Sequence, residues 1–512
     1  MIIGFWGGTY MKIKYSALFS VLSTFVATAF AADIYVDSSF IGTSDGSQAA
    51  PFVTIKDAVA AVGEGDTIWV YGSDTVSYVM EDDSAAVVIE PDNITIRGYT
   101  GLGEAQDWSQ TNKMAKVYIP DGYAERSYSI DGNTQTPFTV NGANLKITGV
   151  FFDFGGKSFR QQNKGGNNMI VVTNSNFCVE NSFFYMSSAT GYSGSSTPIS
   201  GKSIKNSVRH DMVFNRCGFH YTSSYRDEAS AFGHCLGVLT VKNCYFERVY
   251  KMATGGSDEI RDTTLNVVSN IFYNCHSASD GWVDALFSKS GNYFPKNASI
   301  RYNRIIRDDY DPKSKWSSSP YNVLSHGGMY GGSYDKEFEF HHNTIVGADT
   351  AFITKRRRSG NENTDVWTPE IHNNIFILND GGVFIQEDEG SEPGKMFYND
   401  YTTSYKLGSF IRNNAIMCDT FVGGDATTNS WYKLEYEEGA ACGVVIQDNL
   451  EITTAPTFVN TTDVLDENFY RLRLEDYEWV RKNAWTGENG EYPRYIGALE
   501  PLPISCFLMI IE

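Results

Sequence analysis

The first strongly patterned stretch of the chain is helical. Pro51-Phe52-Val53-Thr54-Ile55-Lys56-Asp57-Ala58-Val59-Ala60-Ala61-Val62 places apolar residues three and four positions apart, the period of one helix face. Gly63-Glu64-Gly65-Asp66 then reads as a turn, and Thr67-Ile68-Trp69-Val70-Tyr71 is β-branched and aromatic, as strands prefer. One short amphipathic helix followed by strands alone predicts a cap at the end of something built of strands.

Beyond this cap the chain repeats. A strand-like tetrad ends in Asn, with apolar residues two and three positions later: Asn181 (Phe183, Phe184), Asn243 (Tyr245, Phe246), Asn270 (Phe272, Tyr273) and Asn303 (Ile305, Ile306). The series continues at Asn343 (Ile345, Val346), Asn374 (Phe376, Ile377), Asn414 (Ile416, Met417) and Asn449, and Gly149 and Arg216 hold the same register without the Asn. Intervals between 27 and 40 residues, sustained along the chain, predict stacked coils. The predicted fold is all-β: a parallel β-helix of about eleven coils with a short N-terminal capping helix, spanning residues 32–500 as a single domain. Asn suits a tight corner because it tolerates a left-handed backbone, and its amide can bond the Asn of the next coil. A sandwich or propeller would need regularly spaced Asn-Gly hairpins, which the chain does not show. Coils of unequal length imply loops of unequal length, where function is expected.

Composition agrees. The 512 residues include 47 Gly, 36 Asn and only 19 Leu, beside 72 aromatic residues, which disfavours a large helical protein. A net charge of −20 excludes a nucleic-acid binder that works by neutralising phosphates.

Met11-Lys12-Ile13-Lys14, an apolar run from Tyr15 to Phe30 and Ala29-Phe30-Ala31 have the order of a secretory signal peptide, cleaved before Ala32. Residues 1–10 precede that pattern and read as an upstream extension. Cleavage removes two lysines and no acid, leaving a mature charge of −22. The mature protein is then expected to be secreted, to have no membrane span and to be a monomer. Residues 501–512 read as a tail. Eight cysteines are too few for a disulfide scaffold; Cys217 and Cys244 share a register in which they would stack or bridge.

With these residues in view, the chain resembles the extracellular right-handed parallel β-helix proteins of the pectate-lyase-like superfamily. Pro51-Phe52-Val53-Thr54-Ile55 through Asp66-Thr67-Ile68 is similar to their opening cap, and Tyr495-Ile496-Gly497-Ala498-Leu499-Glu500 to their closing strand. Asp280-Gly281-Trp282-Val283-Asp284 resembles the segment by which pectate lyases hold calcium. Phe340-His341-His342-Asn343, followed by Lys355-Arg356-Arg357-Arg358-Ser359-Gly360, resembles their His-His-Asn strand and the Arg-rich run that supplies the base. Glu370-Ile371-His372-Asn373-Asn374 resembles the strand that comes next. The departures are specific. Counted back from Gly360, Ile353 stands at the run's first Arg and Lys355 at its Pro, and the Asp expected near Ser269 is absent. Asp308 and Asp309, one coil later, would complete the metal site.

The resemblance implies a lyase for pectate or a related uronate polymer, with Ca²⁺ as cofactor and an acidic polysaccharide as substrate. Calcium takes hard oxygen ligands, here Asp280, Asp284, Asp308 and Asp309. Arg356 and Lys355 rank equally as the base that removes the C5 proton: Arg356 matches the motif, whereas a crowded Lys loses its proton more readily. Arg358 suits bidentate binding of a carboxylate, Lys313 plays a similar part, and His326 completes the substrate contacts.

Two other readings stand beside it. Asp280-Gly281, Asp308-Asp309, His326-Gly327 and Lys355 follow the order of polygalacturonase motifs, in which carboxylates alone hydrolyse the glycosidic bond. Alternatively, the chain is a non-catalytic carbohydrate-binding β-helix. Locally, four adjacent cations also read as a solvated loop, and Asp308-Asp309-Tyr310-Asp311-Pro312 as an acidic turn. His341 and His342 read as structural. Trp282 and Trp316 are candidates for stacking on sugar rings.

Overall fold

A computed structural model describes residues 31–80, 87–99, 111–118, 138–153, 170–174, 176–186, 199–201, 210–221, 230–233, 237–249, 251–254, 264–275, 283–284, 297–308, 321–326, 335–354, 366–387, 410–423, 445–473 and 477–500. Its strands pair in parallel throughout and form three walls. The first sheet has thirteen strands, from Asp33–Val36 to Val445–Gln447, and the second runs from Ser77–Val79 to Leu450–Glu451. The third has six, from Val87–Ile89 to Lys251–Thr254. In the coils up to Lys251–Thr254 the chain visits the first sheet, turns a corner into the second, then enters the third; this is a right-handed parallel β-helix.

The cap is as predicted. Ile55–Ala61 is an α-helix whose Ile55, Ala58 and Val59 are buried against the first coils. Thr54 starts it: its hydroxyl accepts the Asp57 N–H at 3.0 Å and donates to Asp57 Oδ2 at 2.6 Å.

The corner between the first and second sheets shows why Asn recurs, and it corrects the predicted register by one residue. Two adjacent positions share the work. The first is left-handed in ten successive coils: Gly149, Asn181, Arg216, Asn243, Ser269, Tyr302, His342, Asn373, Asn413 and Asp448, with φ between 45° and 70°. The second is buried and bonds along the stack, and it is occupied by Ser182, Cys217, Cys244, Asn270, Asn303, Asn343 and so on to Asn449. Asn181 and Asn243 therefore do the turn-forming task, and Asn270 onward do the bonding task.

Inward side chains stack directly. Phe152, Phe184, Phe219, Phe246 and Phe272 form one column with ring centroids 4.7–5.0 Å apart and planes within 8°. Parallel register imposes this, since each ring sits above its equivalent at the strand spacing of about 4.8 Å. Ile305, Ile345, Phe376 and Ile416 continue the column. The buried apolar cluster runs unbroken from Ile34 to Phe421.

One open reading is decided and one prediction changes. Cys217 and Cys244 stack without bridging: both are free and buried, and the Cys217 N–H points to Cys244 Sγ at 3.4 Å. Tyr495–Glu500 is not a strand. It belongs to a C-terminal segment, 452–500, that runs back over the corner. Gly497 N–H donates to the Asn373 carbonyl at 2.8 Å, Ala498 N–H to Thr344 Oγ1 at 2.9 Å, and Asn373 exchanges two bonds with the Trp485 backbone. The segment buries Ile375, Ile377 and Ala415 beneath Leu472, Val480 and Ile496. No helix among the described residues is long and apolar enough to cross a membrane.

Candidate functional site

In the later coils the third wall is built by strands that merge with the second sheet. Thr344–Thr354 and Ile375–Glu387 run continuously around the corner; the second half of Thr344–Thr354 pairs with Tyr321–His326, which pairs in turn with Val283–Asp284, and the second half of Ile375–Glu387 pairs with Thr420–Gly423. Gly347, with φ 78°, makes the bend: a Cβ there would meet the Arg307 carbonyl.

Three described strands that carry or adjoin motif residues lie side by side on this wall. Val283 pairs with Tyr321 and Asp284 with Asn322; Asn322 pairs in turn with Thr350, and His326 with Thr354. The residue after Thr354 is Lys355, the start of the basic run. Asp284, His326 and Thr354 thus sit on three successive strands. Two strand spacings separate the level of Asp284 from that of Thr350, about 10 Å, and Thr354 is about 13 Å further along its strand. Val383 continues the level of Asp284, and Glu387 that of His326 and Thr354. Glu387 is a position that sequence motifs missed, because it stands in none of them. Asp280, Asp309, Lys313, Lys355, Arg356 and Arg358 lie outside the described residues, as do Trp282 and Trp316. For Asp284 and His326 the backbone alone is described.

Asp308 is described in full, and its carboxylate is engaged. Oδ2 accepts the Tyr273 hydroxyl at 2.8 Å and Oδ1 the Asn274 amide at 2.9 Å, while the Asp308 N–H returns to Asn274 Oδ1 at 3.0 Å. Asn274 is left-handed, so this exchange staples a turn. Burial and the neighbouring carboxylate push the Tyr273 hydroxyl up to about 12. Asp308 is thus hydrogen-bonded within this turn. Next to it on the same corner, Arg307, Asp349 and Asn379 form a second polar link: Arg307 Nη1 lies 3.9 Å from Asp349 Oδ2, and Asn379 Nδ2 donates to Asp349 Oδ1 at 2.8 Å. Among the described residues no group of three or more His, Cys, Asp or Glu is arranged to hold a metal.

The histidines lie elsewhere. His341 and His372 are neighbours on the outer side of the first sheet, between Arg301 and Arg412 in the same column. Their rings stack 4.8 Å apart, and His341 Nδ1 is 2.8 Å from His342 Nδ1. The C-terminal segment covers them with Trp485 and Tyr492. Burial holds all three well below the ordinary histidine range, His341 to about 2 and His342 to about 4. They are neutral and structural, as the sequence suggested.

Neither a family model nor a curated protein matches the chain. Solved structures similar to it include a pectate lyase, at 13% identity over 93% of this chain and 98% of that one, with a TM-score of 0.44. A rhamnogalacturonan lyase gives 13% identity over 87% and 98%, with a TM-score of 0.44. A PL6 family polysaccharide lyase from Pseudopedobacter saltans gives 14% over 77% and 90%, with a TM-score of 0.39. The ladders of the three sheets establish the β-helix independently of these likenesses.

Proposed function

We propose that the chain is a secreted polysaccharide lyase that cleaves pectate or a related uronate polymer by β-elimination with calcium. The observation that supports this reading is the pairing of strands 283–284, 321–326 and 350–354, which gathers Asp284, His326 and the approach to Lys355 on one wall. A polyanionic substrate on a chain of net charge −20 needs local cations, and Lys355, Arg356, Arg357 and Arg358 are four in a row.

Arg358 and Lys313 clamp sugar carboxylates, His326 contacts substrate, and Arg356 or Lys355 takes the C5 proton while the C4–oxygen bond breaks. The remaining cations of the run favour the neutral form of whichever residue is the base. Asp280, Asp284 and Asp309 are the calcium ligands of the proposal; their carboxylates are the hard oxygens that ion prefers. Asp308 accepts one hydrogen bond on each oxygen, from Tyr273 and Asn274, and each oxygen keeps a second lone pair with which it would join them. Calcium, when bound, would neutralise the substrate carboxylate and make the C5 proton more acidic.

Digestion of polygalacturonate with calcium separates the readings. A rise in ultraviolet absorbance from the unsaturated product, abolished by chelation, is the expected result. Reducing ends without absorbance would indicate a hydrolase, and neither signal on any uronan would indicate a binding protein. Arg356→Ala and Lys355→Ala identify the base: one of them lowers kcat at least about a hundredfold, and full activity in both would overturn the assignment.

A further inference from the structure

We infer that the chain is cut between Ala31 and Ala32, and that Asp66 is a buried receptor for the new amino terminus. Two independent observations meet at one residue. In the sequence, Ala29 and Ala31 are the small residues a signal peptidase reads, which selects the bond before Ala32. In the fold, the Ala32 nitrogen donates to Asp66 Oδ1 at 2.6 Å, and the Gly63 N–H donates to Oδ2 at 2.7 Å. Asp66 is only 8% exposed. A carboxylate removed from water is costly unless matched by charge, and both these donors are backbone N–H groups in the uncut chain.

Hydrolysis supplies the charge. Water adds across the Ala31–Ala32 amide, Ala31 leaves as a carboxylate, and the Ala32 nitrogen takes the proton and becomes an ammonium. That ammonium is delivered to Asp66 without moving the strand, because its neighbours are already tied. The Ala32 carbonyl accepts the Thr67 N–H at 2.9 Å, Asp33 pairs with Thr67, and the Asp66 carbonyl accepts the Thr95 N–H at 3.1 Å. Strand Asp33–Val36 is the outer edge of the first sheet, so the pair locks the edge of the solenoid. Export and stability of the first coil are thereby linked: the uncut chain holds this edge by a hydrogen bond, and the cut chain holds it by a charge-assisted one.

The pairing also sets the sign of the pH dependence. An amine paired with a carboxylate titrates above its unfolded value of about 7.7–8.0, so its stabilisation is full below that range and is lost as pH rises through the folded value. The exported protein is expected to begin at Ala32 by intact mass, and any other start overturns the cut. The Ala32 form is then compared with its N-acetylated counterpart, which keeps the hydrogen bond and loses the charge. At pH 6.5, hydrogen exchange at the Thr67 amide should be about fivefold slower in the free form, with the difference gone at pH 10 or in Asp66→Asn. Equal exchange at pH 6.5 refutes the receptor. Labelling of the α-amine gives a check that needs no variant: at pH 7.5 it should be about tenfold slower than in an unfolded peptide of the same sequence, and an equal rate refutes the pairing.

Discussion

The corner between the first and second sheets is closed in two ways along one solenoid. In the early coils the buried position holds Ser182, Cys217 and Cys244; in the later ones it holds Asn270, Asn303, Asn343, Asn374, Asn414 and Asn449. The bonding pattern is shared. Cys244 Sγ points to the carbonyl two residues back, Lys242, and to Phe214 one coil earlier; Asn343 Nδ2 donates to the equivalent carbonyls, His341 and Ile300. What Asn adds is an acceptor strong enough to take two bonds. Its Oδ1 receives both the backbone N–H and the amide of the preceding rung, as Asn343 does from Asn303 at 2.9 and 3.0 Å. A thiol is a weak donor and a weaker acceptor, so the early rungs contribute less hydrogen bonding. There the column of five phenylalanines supplies cohesion. In the later coils the column changes mostly to isoleucine, and the corner is also covered by the C-terminal segment. One backbone turn is therefore compatible with two sources of cohesion, ring stacking in the early coils and amide bonding in the later ones.

The largest test of this contrast is Asn343→Leu against Cys217→Ala. Leucine would leave the Asn303 N–H buried without a partner, at about 1–3 kcal/mol, and strip one bond each from the Asn303 amide and the Ile300 carbonyl, which also stands in a paired strand, so a loss of about 2–4 kcal/mol is expected. Cys217→Ala removes one sulfur and weak bonds, and should cost about 1–2 kcal/mol. Denaturant midpoints at unchanged slope measure both, and equal losses would erase the contrast.

Acid should act next, and on the later coils alone. His341, His342 and His372 are held neutral by burial, with mutual repulsion and Arg301 and Arg412 adding to the shift. The unfolded chain binds protons at about 6.5. The stability they contribute is therefore full above that pH and falls below it, by up to about 1.4 kcal/mol per pH unit for each histidine. Hydrogen exchange should show 335–354, 366–387 and 477–500 opening between pH 6.5 and 4.5 while 138–153 and 176–186 stay protected. His372→Phe, which keeps a ring on His341 and beneath Trp485, should flatten the dependence. An unchanged profile would mean that the covering segment holds by other contacts.

The smallest effect is expected from Cys244→Asn, which adds a rung at the changeover. The new amide would find the Phe214 and Lys242 carbonyls and the Asn270 acceptor, and would offer Oδ1 to the Cys217 N–H, which now meets a sulfur. A change within about 1 kcal/mol, on the stabilising side, is expected by thermal melting. A loss above about 2 kcal/mol would show that this coil is packed too tightly for an amide.

The capping helix, the strand repeat and the parallel architecture were legible in the chain because each is written in local spacing. Pro51–Val62 carries its own period, and the Asn-x-Phe-Phe series carries the coil length. Which neighbour does which task at the corner was not legible, since αL tolerance and amide bonding both select Asn and only the three-dimensional register separates residue 269 from 270. The candidate site divides the same way. Asp284, His326 and the basic run could be named from motifs, but that strands 283–284, 321–326 and 350–354 lie side by side depends on parallel pairing between segments separated by tens of residues. Asp308 could be named equally from motifs, and only the fold shows that Tyr273 and Asn274 orient its carboxylate. The C-terminal segment gave no periodic signal at all. Its contacts reach back more than a hundred residues to Asn373 and Thr344, and only packing can specify a contact of that kind. Local pattern determined the coil, and the stacking of coils decided which polar side chains are spent on structure and which distant strands lie side by side.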